Sequence, residues 1–418
     1  MTVIELFDSS PLENVISFIA YHEEQLNRIV YLGDPRKMEE QKAGIENYLH
    51  HIDPIIQAEY RKVEQNNVDT LTDTLTKLVQ EFGAEHCVFD LTGGDDLALF
   101  SMGMVYERYK DLGIRVHKFN IHSGRIAERR FDACESHLPT ISLSVEEQIL
   151  LHGGKIVTKD DREDGTRAWD FSPDFVSDLE KMWEICRKDC GLWNTQISMV
   201  DTLLHDAGMG SPSDPLLLSI PSYTAENVLK RHGQRYFTGR IFLSLYKAGL
   251  LTEYQGGKNE LRLRFKNEQV KECLSVAGTV LELITCYHAS VLKGRSSGKI
   301  RFQDALAGVR IDWDGKIHSP KSNVIDIENE IDVILMSGLT PIFISCKNGD
   351  FDTNELYKFN TVVDRFGGKH ARKVLIFTDA RIKPHIKERA DELEIQMIEK
   401  VNQKSFSEFS SVLRKITV

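Results

Sequence analysis

Cysteine is scarce and scattered in this sequence, and its spacing excludes two common uses of the residue. There are seven cysteines, an odd number. Only Cys186 and Cys190 are close together, and neither a second pair nor a nearby histidine completes a zinc site with them. We therefore expect reduced, partly buried thiols of a cytosolic protein, and neither a disulfide framework nor a zinc centre.

Long apolar runs and targeting signals are also missing from the N-terminal segment. It carries Glu5 and Asp8 and lacks a basic lead, so it predicts neither a signal peptide nor a membrane span. We expect a cytoplasmic protein that does not enter a membrane. The apolar fraction of 41% is ordinary, and 418 residues are enough for two or three domains.

Basic residues are too few for the whole chain to be a passive nucleic-acid binder. Lysine and arginine total 52 against 63 acidic residues, a formal charge of −11, whereas such binders are normally basic. A nuclease is not excluded, because a metal ion and a local basic patch can bind its substrate. Two runs could form that patch or could be solvated faces. They are Lys293, Arg295, Lys299, Arg301, Lys316, His318 and Lys321, and then Arg365, Lys369, His370, Arg372 and Lys373.

Strand and helix patterns alternate through residues 1–150. We predict strands at 2–8, 28–33, 87–94 and 114–120, and helices from 11 to about 27, near 37–61, at 69–82 and at 95–111. This order predicts a doubly wound, Rossmann-like α/β domain, in which ligands bind beyond the carboxyl ends of the strands.

Two loops at that edge are candidate ligand-binding segments. The first contains Ser9, Ser10, Pro11 and Leu12, where serine before proline is a strong helix-start signal. Both loops lead into predicted helix N-termini, whose free N–H groups and dipole favour phosphate. The spacing is not GxGxxG, so no dinucleotide cofactor is predicted. The second loop contains Thr92, Gly93, Gly94, Asp95 and Asp96.

Residues 151–270 predict a connector. We expect helices at 174–191, 224–232 and 235–251, followed by a hairpin at 252–265. Two helices followed by a hairpin form a winged-helix-like unit. Such a unit could bind DNA or bridge two other domains.

Charged residues interrupt two apolar runs between residues 324 and 347. The runs predict two strands joined by a turn at 337–341. Side chains two apart on a strand point to the same face. Glu330 and Asp332 therefore share one face of the first strand, and Ser345 and Lys347 share one face of the second. If the strands pair, two carboxylates and an ammonium group converge at one sheet edge. Burying them is costly unless they neutralise one another or hold a metal ion.

Helical patterns flank these strands. Residues 273–292 have a helical apolar period, and Glu282 is embedded in it where a solvated charge is not expected. A second helix is predicted at 354–368 and a further strand at 371–379. The alternative to a functional site is a charged edge strand with an ordinary Lys–Asp pair.

The order helix, strand, strand, helix, strand resembles the PD-(D/E)xK, or restriction-endonuclease-like, nuclease core. Asp332 matches the family's aspartate and Lys347 its lysine, which orients the attacking water. Ser345 stands where an acid or glutamine is usual, so Glu330, or less favourably Glu355, is expected to supply the missing oxygen. The resemblance implies Mn²⁺ or Mg²⁺, with Glu282 as a further ligand.

The carbonyl of Cys346 is expected to be an additional metal ligand. The site set predicted as catalytic is Glu282, Glu330, Asp332, Ser345 and Lys347, and the set predicted to hold the metal is Glu282, Glu330, Asp332 and Cys346.

Over its whole length the chain resembles the CARF-plus-nuclease effectors of type III CRISPR systems. The segments that carry this resemblance are the strand and Ser-Pro turn at the start, then 91–94, 278–282, 329–333 and 344–347. It implies a CARF-like cyclic oligoadenylate sensor at 1–150, a connector at 151–270 that bridges the domains, and a nuclease at 271–418.

The same resemblance implies a homodimer with a two-fold pocket for cyclic tetra-adenylate or a related ring. The bound ring would activate a metal-dependent endonuclease that cuts single-stranded RNA or DNA. Related loops often place threonine or lysine where this chain has Asp95 and Asp96. These carboxylates would repel a phosphate, so we expect them either to point away or to bind ribose hydroxyls and adenine amines.

Two other functions remain open at this point. A ring-sensing transcription regulator would bind DNA through the winged segment. In that case the serine at position 345, in place of the usual acid, would mean that the nuclease domain is inactive. A constitutive repair or restriction nuclease would use its N-terminal domain only to dimerise. Cleavage assays with and without the ring distinguish all three.

Overall fold

The computed structural model covers most of the chain. It describes residues 1–22, 26–64, 66–120, 125–129, 134–135, 141–206, 210–211, 214–236, 239–294, 298–318, 326–378 and 382–416. Arg295 and Lys321 of the first basic run lie outside the described residues.

A seven-stranded sheet forms the N-terminal part, in the order β3-β2-β1-β4-β5-β6-β7. The first five of these strands in sequence run parallel, and β6 and β7 are antiparallel additions. The strands are β1 (Thr2–Leu6), β2 (Arg28–Gly33), β3 (Gln57–Lys62), β4 (Cys87–Asp90), β5 (Arg115–Asn120), β6 (Arg125–Arg129) and β7 (Cys134–Glu135). The helices between them are α1 (Ile16–Tyr21), α2 (Pro35–Ile52), α3 (Val68–Phe82) and α4 (Asp96–Tyr109). The predicted Rossmann-like domain is confirmed.

Two predictions in this region are wrong. The helix expected near 37–61 corresponds to α2, which ends at Ile52. The last part of the predicted range forms strand β3 instead. Asp53 precedes Pro54, and a residue before proline is disfavoured in the α conformation, which ends the helix there. The helix expected to start at Pro11 instead starts at Ile16, after a turn over 11–15 that the Asn14 side chain stabilises.

The connector contains a four-stranded sheet in the order β11-β12-β10-β9. Helices α8 and α9 lie between β10 and the β11–β12 hairpin, which gives the predicted winged-helix-like arrangement. Its elements are α6 (Pro173–Cys186), α7 (Cys190–His205), β9 (Gly210–Ser211), β10 (Asp214–Pro221), α8 (Ser222–Arg231), α9 (Arg240–Lys247), β11 (Leu251–Gly256) and β12 (Glu260–Phe265).

A six-stranded sheet forms the C-terminal part, in the order β17-β16-β15-β14-β13-β8. Its strands are β8 (Lys155–Ile156), β13 (Asp304–Asp312), β14 (Glu328–Ser337), β15 (Thr340–Lys347), β16 (Arg372–Phe377) and β17 (Ile395–Ile398). The helices around it are α5 (Val145–Leu151), α10 (Glu268–Cys273), α11 (Thr279–Ser290), α12 (Thr353–Phe366), α13 (Pro384–Glu392) and α14 (Phe406–Lys415). Strand β8 joins this sheet from the segment predicted as connector, by pairing with β13.

The three parts pack against one another. One apolar core includes Phe7 of the N-terminal part together with Phe343 and Phe366 of the C-terminal part. A second core joins Trp193 of the connector to Leu281 on α11. Burial of apolar surface across these boundaries fixes the position of the candidate site relative to the N-terminal sheet.

Six cysteines in the described part of the chain are free, and five of them are buried. No helix among the described residues is long and apolar enough to cross a membrane.

Candidate functional site

The carboxylate of Asp332 lies where strands β14 and β15 separate. Its Oδ2 accepts hydrogen bonds from the Cys346 N–H at 2.5 Å and from Ser345 Oγ at 3.1 Å. The ladder between the two strands reaches only to Val333, the residue that follows Asp332 in the chain. On the other side of β14 the ladder to β13 skips Gly308, whose φ of +60° is in the left-handed region. The sheet therefore opens at Asp332.

A cavity of about 130 Å³ occupies this opening. The side chains of α12 close one wall with Phe359 and Val362. Four residues predicted from sequence line the same cavity, together with Glu355. These four are Glu330, Asp332, Ser345 and Lys347.

Lys347 is held by carboxylates on two elements. Its Nζ lies 3.0 Å from Glu355 Oε2. Burial alone would lower the pKa of Lys347, but the charges of Asp332 and Glu355 outweigh burial and raise the pKa above its ordinary value. The same hydrogen bond lowers the pKa of Glu355. The ammonium group is therefore charged and faces the cavity.

Glu282 belongs to the first turn of α11 and is partly buried. Burial first, and then the charges of Asp332 and Glu330, raise the pKa of Glu282 well above its ordinary value, against the effect of Lys347. The Glu282 carboxylate forms no hydrogen bond or ion pair with the residues that the structure describes. A Cβ on Gly278 would lie 2.8 Å from Glu282 Oε1, so a side chain at this position would displace the carboxylate.

The pKa of Asp332 is raised, as is that of Glu282. Burial raises the pKa of Asp332, although Lys347 and the two hydrogen bonds to Oδ2 oppose the rise. Its second oxygen, Oδ1, has no hydrogen-bond partner among the described residues. Two neighbouring carboxyl groups with raised pKa values, both offering oxygen, fit a hard divalent cation that would neutralise them.

Glu330 and Cys346 are placed differently from Asp332. The Glu330 side chain is 52% exposed and lies 3.5 Å from Arg310 Nη2. The Cys346 side chain is buried, with Sγ 3.9 Å from Thr285 Oγ1 on α11. Only the backbone of Cys346 therefore reaches Asp332, and the role of its carbonyl as a metal ligand stays a prediction.

A separate acidic cluster lies at the far end of β13 and β14 and was not predicted from sequence. Asp312, Asp326 and Glu328 bring ligand atoms within 4.8 Å of one another, a spacing that could hold a metal ion. Arg162 pairs with Glu328, and His318 Nδ1 lies 2.5 Å from Asp326. Arg162 thus already neutralises Glu328, and the His318 ring is bound to Asp326.

The two predicted ligand loops lie side by side at the carboxyl ends of β1 and β4. A Cβ on Gly93 would lie 3.1 Å from the Leu6 carbonyl oxygen, and one on Gly94 would lie 2.3 Å from Leu6 Cδ1. Gly94 also has a φ of +99°. Glycine is favoured at Gly94 by its left-handed backbone and by the Leu6 side chain that fills the space, and a Cβ at Gly93 would crowd the Leu6 carbonyl.

Hydrogen bonds within the protein occupy several polar groups of these loops. Asp90 Oδ1 accepts from the Thr92 N–H at 2.8 Å and from Thr92 Oγ1 at 2.5 Å. Asp95 caps α4 by accepting from the Ala98 N–H at 2.9 Å. Its carboxylate is therefore turned toward its own helix, the first of the two expected orientations for this residue.

Burial separates the loop residues into two groups. Ser10 and Leu12 are only 8% and 5% exposed, so their side chains belong to the fold. Thr92, Pro11 and Gly93 are partly buried. The exposed candidates for ligand contact are Ser9, Gly94, Asp95 and Asp96.

An apolar surface on α4 adjoins the second loop. Leu97 and Phe100 are 46% and 60% exposed and lie three residues apart, on one face of the helix. Exposed apolar side chains grouped in this way are typical of an interaction surface.

The second basic run binds acidic groups of the protein itself. Lys369 pairs with Glu13, and His370 Nε2 lies 3.5 Å from the same carboxylate. Lys373 Nζ lies 2.8 Å from Asp364. These three side chains therefore stabilise the fold rather than form an open basic patch.

Known structures share the whole fold of this chain but little of its sequence. No family model and no curated protein sequence matches the chain. Protein VC1899 from Vibrio cholerae aligns with 100% of this chain and 97% of its own, at 15% identity and a TM-score of 0.70. Can2 from Sulfobacillus thermosulfidooxidans, in complex with cyclic tetra-adenylate, aligns over 100% and 99%, at 15% identity and a TM-score of 0.63.

A third structure, of a type III CRISPR defence DNA nuclease activated by cyclic oligoadenylate, aligns with 92% of this chain and 46% of its own, at 15% identity and a TM-score of 0.49. The two full-length alignments show that the predicted architecture, a Rossmann-like domain, a connector and a second α/β domain, is the fold of this chain.

Proposed function

We propose that this protein is a nuclease that requires a divalent metal ion and is activated by a cyclic oligoadenylate. The observation that carries the proposal is the cavity at Asp332, where Lys347 and several carboxylates meet at the point where two strands separate. The full-length likeness to a protein that binds cyclic tetra-adenylate supports the choice of activator. In this proposal residues 1–150 are the sensor, 151–270 the bridge and 271–418 the nuclease.

The proposed cation is Mn²⁺ or Mg²⁺. Asp332 and Glu282 would hold it, with Glu330 and Glu355 as the other acids of the site and the Cys346 carbonyl as a further oxygen. When bound, such an ion polarises a phosphodiester and lowers the pKa of a bound water molecule. The residues fit it because every predicted ligand atom is an oxygen, which these ions prefer.

Lys347 acts on the phosphate and the attacking water. Its ammonium group is charged and faces the cavity, so it can orient the water for in-line attack and balance the charge of the pentavalent phosphorus. Ser345 donates its hydroxyl to Asp332 and thereby fixes the carboxylate. RNA, DNA or both remain as substrates, with single strands favoured.

The proposed activator site lies where the ligand loops and α4 meet. Ser9, Gly94 and the start of α4 would contact the ring, and free N–H groups at a helix N-terminus favour its phosphates. A cyclic tetra-adenylate has internal symmetry, so a two-fold homodimer can offer it one pair of loops from each subunit. The exposed Leu97 and Phe100 give the dimer an apolar surface.

The direct test is cleavage of labelled single-stranded RNA and DNA with Mn²⁺, with and without rings of four and six adenylates. We expect the ring to switch cleavage on, and Lys347→Ala to lower the cleavage rate at least about 100-fold while the protein still folds and binds the ring. Retained cleavage in Lys347→Ala would remove Lys347 from the mechanism. Retarded but uncut DNA would favour a regulator, and cutting that ignores the ring would favour a constitutive nuclease.

A further inference from the structure

The winged-helix-like part of the connector is basic although the chain as a whole is acidic. Residues 222–266 contain nine lysines and arginines against three glutamates, whereas the whole chain has 52 basic and 63 acidic residues. We propose that helix α9 and the β11–β12 hairpin bind a DNA duplex, at a site separate from the cavity at Asp332. Binding there requires no cleavage, so it is tested separately from the proposed nuclease function.

The order of the elements is that of a helix-turn-helix with a wing. Helices α8 and α9 follow strand β10, and the β11–β12 hairpin then returns to pair with β10 through β12. Phe242 of α9 packs on Tyr254 of β11, with ring centroids 6.0 Å apart, so helix and hairpin form one unit. In helix-turn-helix proteins the second helix lies in the major groove of DNA, and α9 has that place in the order.

Helix α9 buries one face and leaves the other open. Its buried side chains, which join the core of the connector, are Ile241, Phe242 and Leu245. Arg240, Leu243 and Lys247 lie three and four residues apart on the opposite face, and all three are exposed. This face fits a DNA groove, because the cations can contact phosphates and the apolar side chain can contact thymine methyl groups.

The charged side chains of this region differ in whether the protein itself occupies them. Glu253 on β11 accepts from Arg262 Nε at 2.8 Å and from Arg264 Nε at 2.5 Å, so these two arginines belong to the fold. The glutamates of the region all have partners, and they are Glu226, Glu253 and Glu260. The exposed cations that form no ion pair with any residue that the structure describes are Arg235, Arg240, Lys247 and Lys258. The charge left for a partner is therefore positive, which suits a polyanion.

The winged unit is attached next to the candidate active site. Helix α7 packs against α8 and α9 and carries Asn194. Asn348, the residue that follows Lys347, donates from Nδ2 to Asn194 Oδ1 at 2.7 Å. A duplex bound to α9 is thus tethered to the part of the chain that carries Lys347. This raises the effective concentration of the DNA, and of any single strand joined to it, at the cavity.

Duplex binding to the full-length protein, without metal ion or ring, tests this surface. We expect Arg240→Gln combined with Lys247→Gln to weaken the affinity for a labelled DNA duplex by about 10-fold or more. The slope of log affinity against log salt should become shallower by about 2, since each lost phosphate contact removes about 0.9. Lys37→Gln combined with Lys77→Gln removes the same charge from exposed positions on α2 and α3 and should change neither quantity. Fluorescence anisotropy over a salt series gives both, and melting temperatures verify folding.

The same measurement with single-stranded DNA and RNA decides the class of ligand. Duplex affinity and salt slope that the α9 variant leaves unchanged would overturn the proposal, and so would a larger loss on single strands than on the duplex. Duplex binding through α9 without cleavage under Mn²⁺ and any ring would reject the nuclease function and keep this surface. Ring-dependent cleavage by a protein that binds no duplex would do the reverse.

Discussion

The position of the Glu282 carboxylate depends on a single glycine. Gly278 precedes α11 with helical backbone angles, so alanine is compatible with its conformation. A Cβ there would nevertheless lie 2.8 Å from Glu282 Oε1 and force the carboxylate to move. Glycine at this position thus leaves room for the Glu282 carboxylate in its present place.

Gly278→Ala is therefore expected to affect the cation and spare the fold. We predict an Mn²⁺ affinity lower by about 3- to 10-fold and a free energy of unfolding changed by no more than about 1 kcal/mol. Mn²⁺ titration and denaturant unfolding measure the two effects. Gly257→Ala is the control, because a Cβ at Gly257 meets no atom within 4 Å. Equal Mn²⁺ affinity in both variants would show that Gly278 does not control the position of Glu282 at the cation.

Sequence reasoning reached some of these residues and missed others for clear reasons. Alternation along a strand places Asp332 and Lys347 on the cavity side, since the period of two is fixed by backbone geometry. The position of Glu355 depends on where α12 crosses the sheet, which sequence spacing does not give. The turn before α1 depends on two hydrogen bonds between the Asn14 side chain and the Asp8 backbone, which override the helix-start signal at Ser10-Pro11.

Helix α12 connects the first ligand loop to the candidate active site. At its start Glu355 contacts Lys347, and just beyond its end Lys369 and His370 pair with Glu13. Glu13 follows the loop formed by residues 9–12 and is 6% exposed. A shift of this loop on ring binding would therefore move one end of α12, and the rigid helix would carry the movement to Lys347 at its other end.

Removing the charge of Glu13 tests this connection. We expect Glu13→Gln to reduce the factor by which the ring stimulates cleavage by about 5-fold or more, which is the lower end of typical coupling between sites. The Mn²⁺ affinity should not change, because Glu13 contacts residues just beyond the C-terminal end of α12, whereas Lys347 is contacted at the helix start. Cleavage rates with and without the ring give the factor directly.

The control for Glu13 is a pair at the same end of α12 that does not touch the loop. Asp364→Asn removes the partner of Lys373, 2.8 Å away, and should leave ring stimulation as it is. If Glu13→Gln retains the same ring stimulation of cleavage as Asp364→Asn, α12 does not transmit the signal.

Elements with strong local patterns were predictable, and those that depend on their neighbours were not. Strands β1, β2, β4 and β5 of the Rossmann-like sheet and the β11–β12 hairpin follow from apolar alternation and turn residues. Strand β3 is a mainly polar edge strand and β8 has only two residues, so both depend on pairing partners that are distant in sequence. Strand β13 is interrupted by Gly308 and carries charges, which concealed its pattern.

At the scale of the whole molecule, α5 lies where the N-terminal part meets the C-terminal sheet. Gln148 Nε2 donates to the Phe366 carbonyl at the end of α12, at 2.9 Å. One turn further, His152 Nδ1 donates to the Gln148 carbonyl at 2.9 Å. The other ring nitrogen, Nε2, is buried and has no hydrogen-bond partner among the described residues.

Burial gives this histidine a marked dependence on pH. Burial, aided by the charge of Arg365 and opposed by the Gln148 hydrogen bond, lowers the pKa of His152 from 6.5 to about 4. The folded protein thus binds fewer protons here than the unfolded chain does. Its stability is complete above pH 6.5 and falls as the pH drops toward 4, by about 1.4 kcal/mol per pH unit from this group.

His152→Asn should remove that dependence at the junction of the two parts. Asparagine can still donate to the Gln148 carbonyl through Nδ2 but does not titrate, so we predict a loss of stability between pH 7 and pH 4.5 that is smaller by about 2 to 3 kcal/mol than in the unaltered protein. Unfolding measured at both pH values gives this difference, and His50→Asn on the exposed face of α2 is the control. Parallel pH profiles for the unaltered protein and His152→Asn would mean that His152 is protonated in the folded state, and the junction would then tolerate acid.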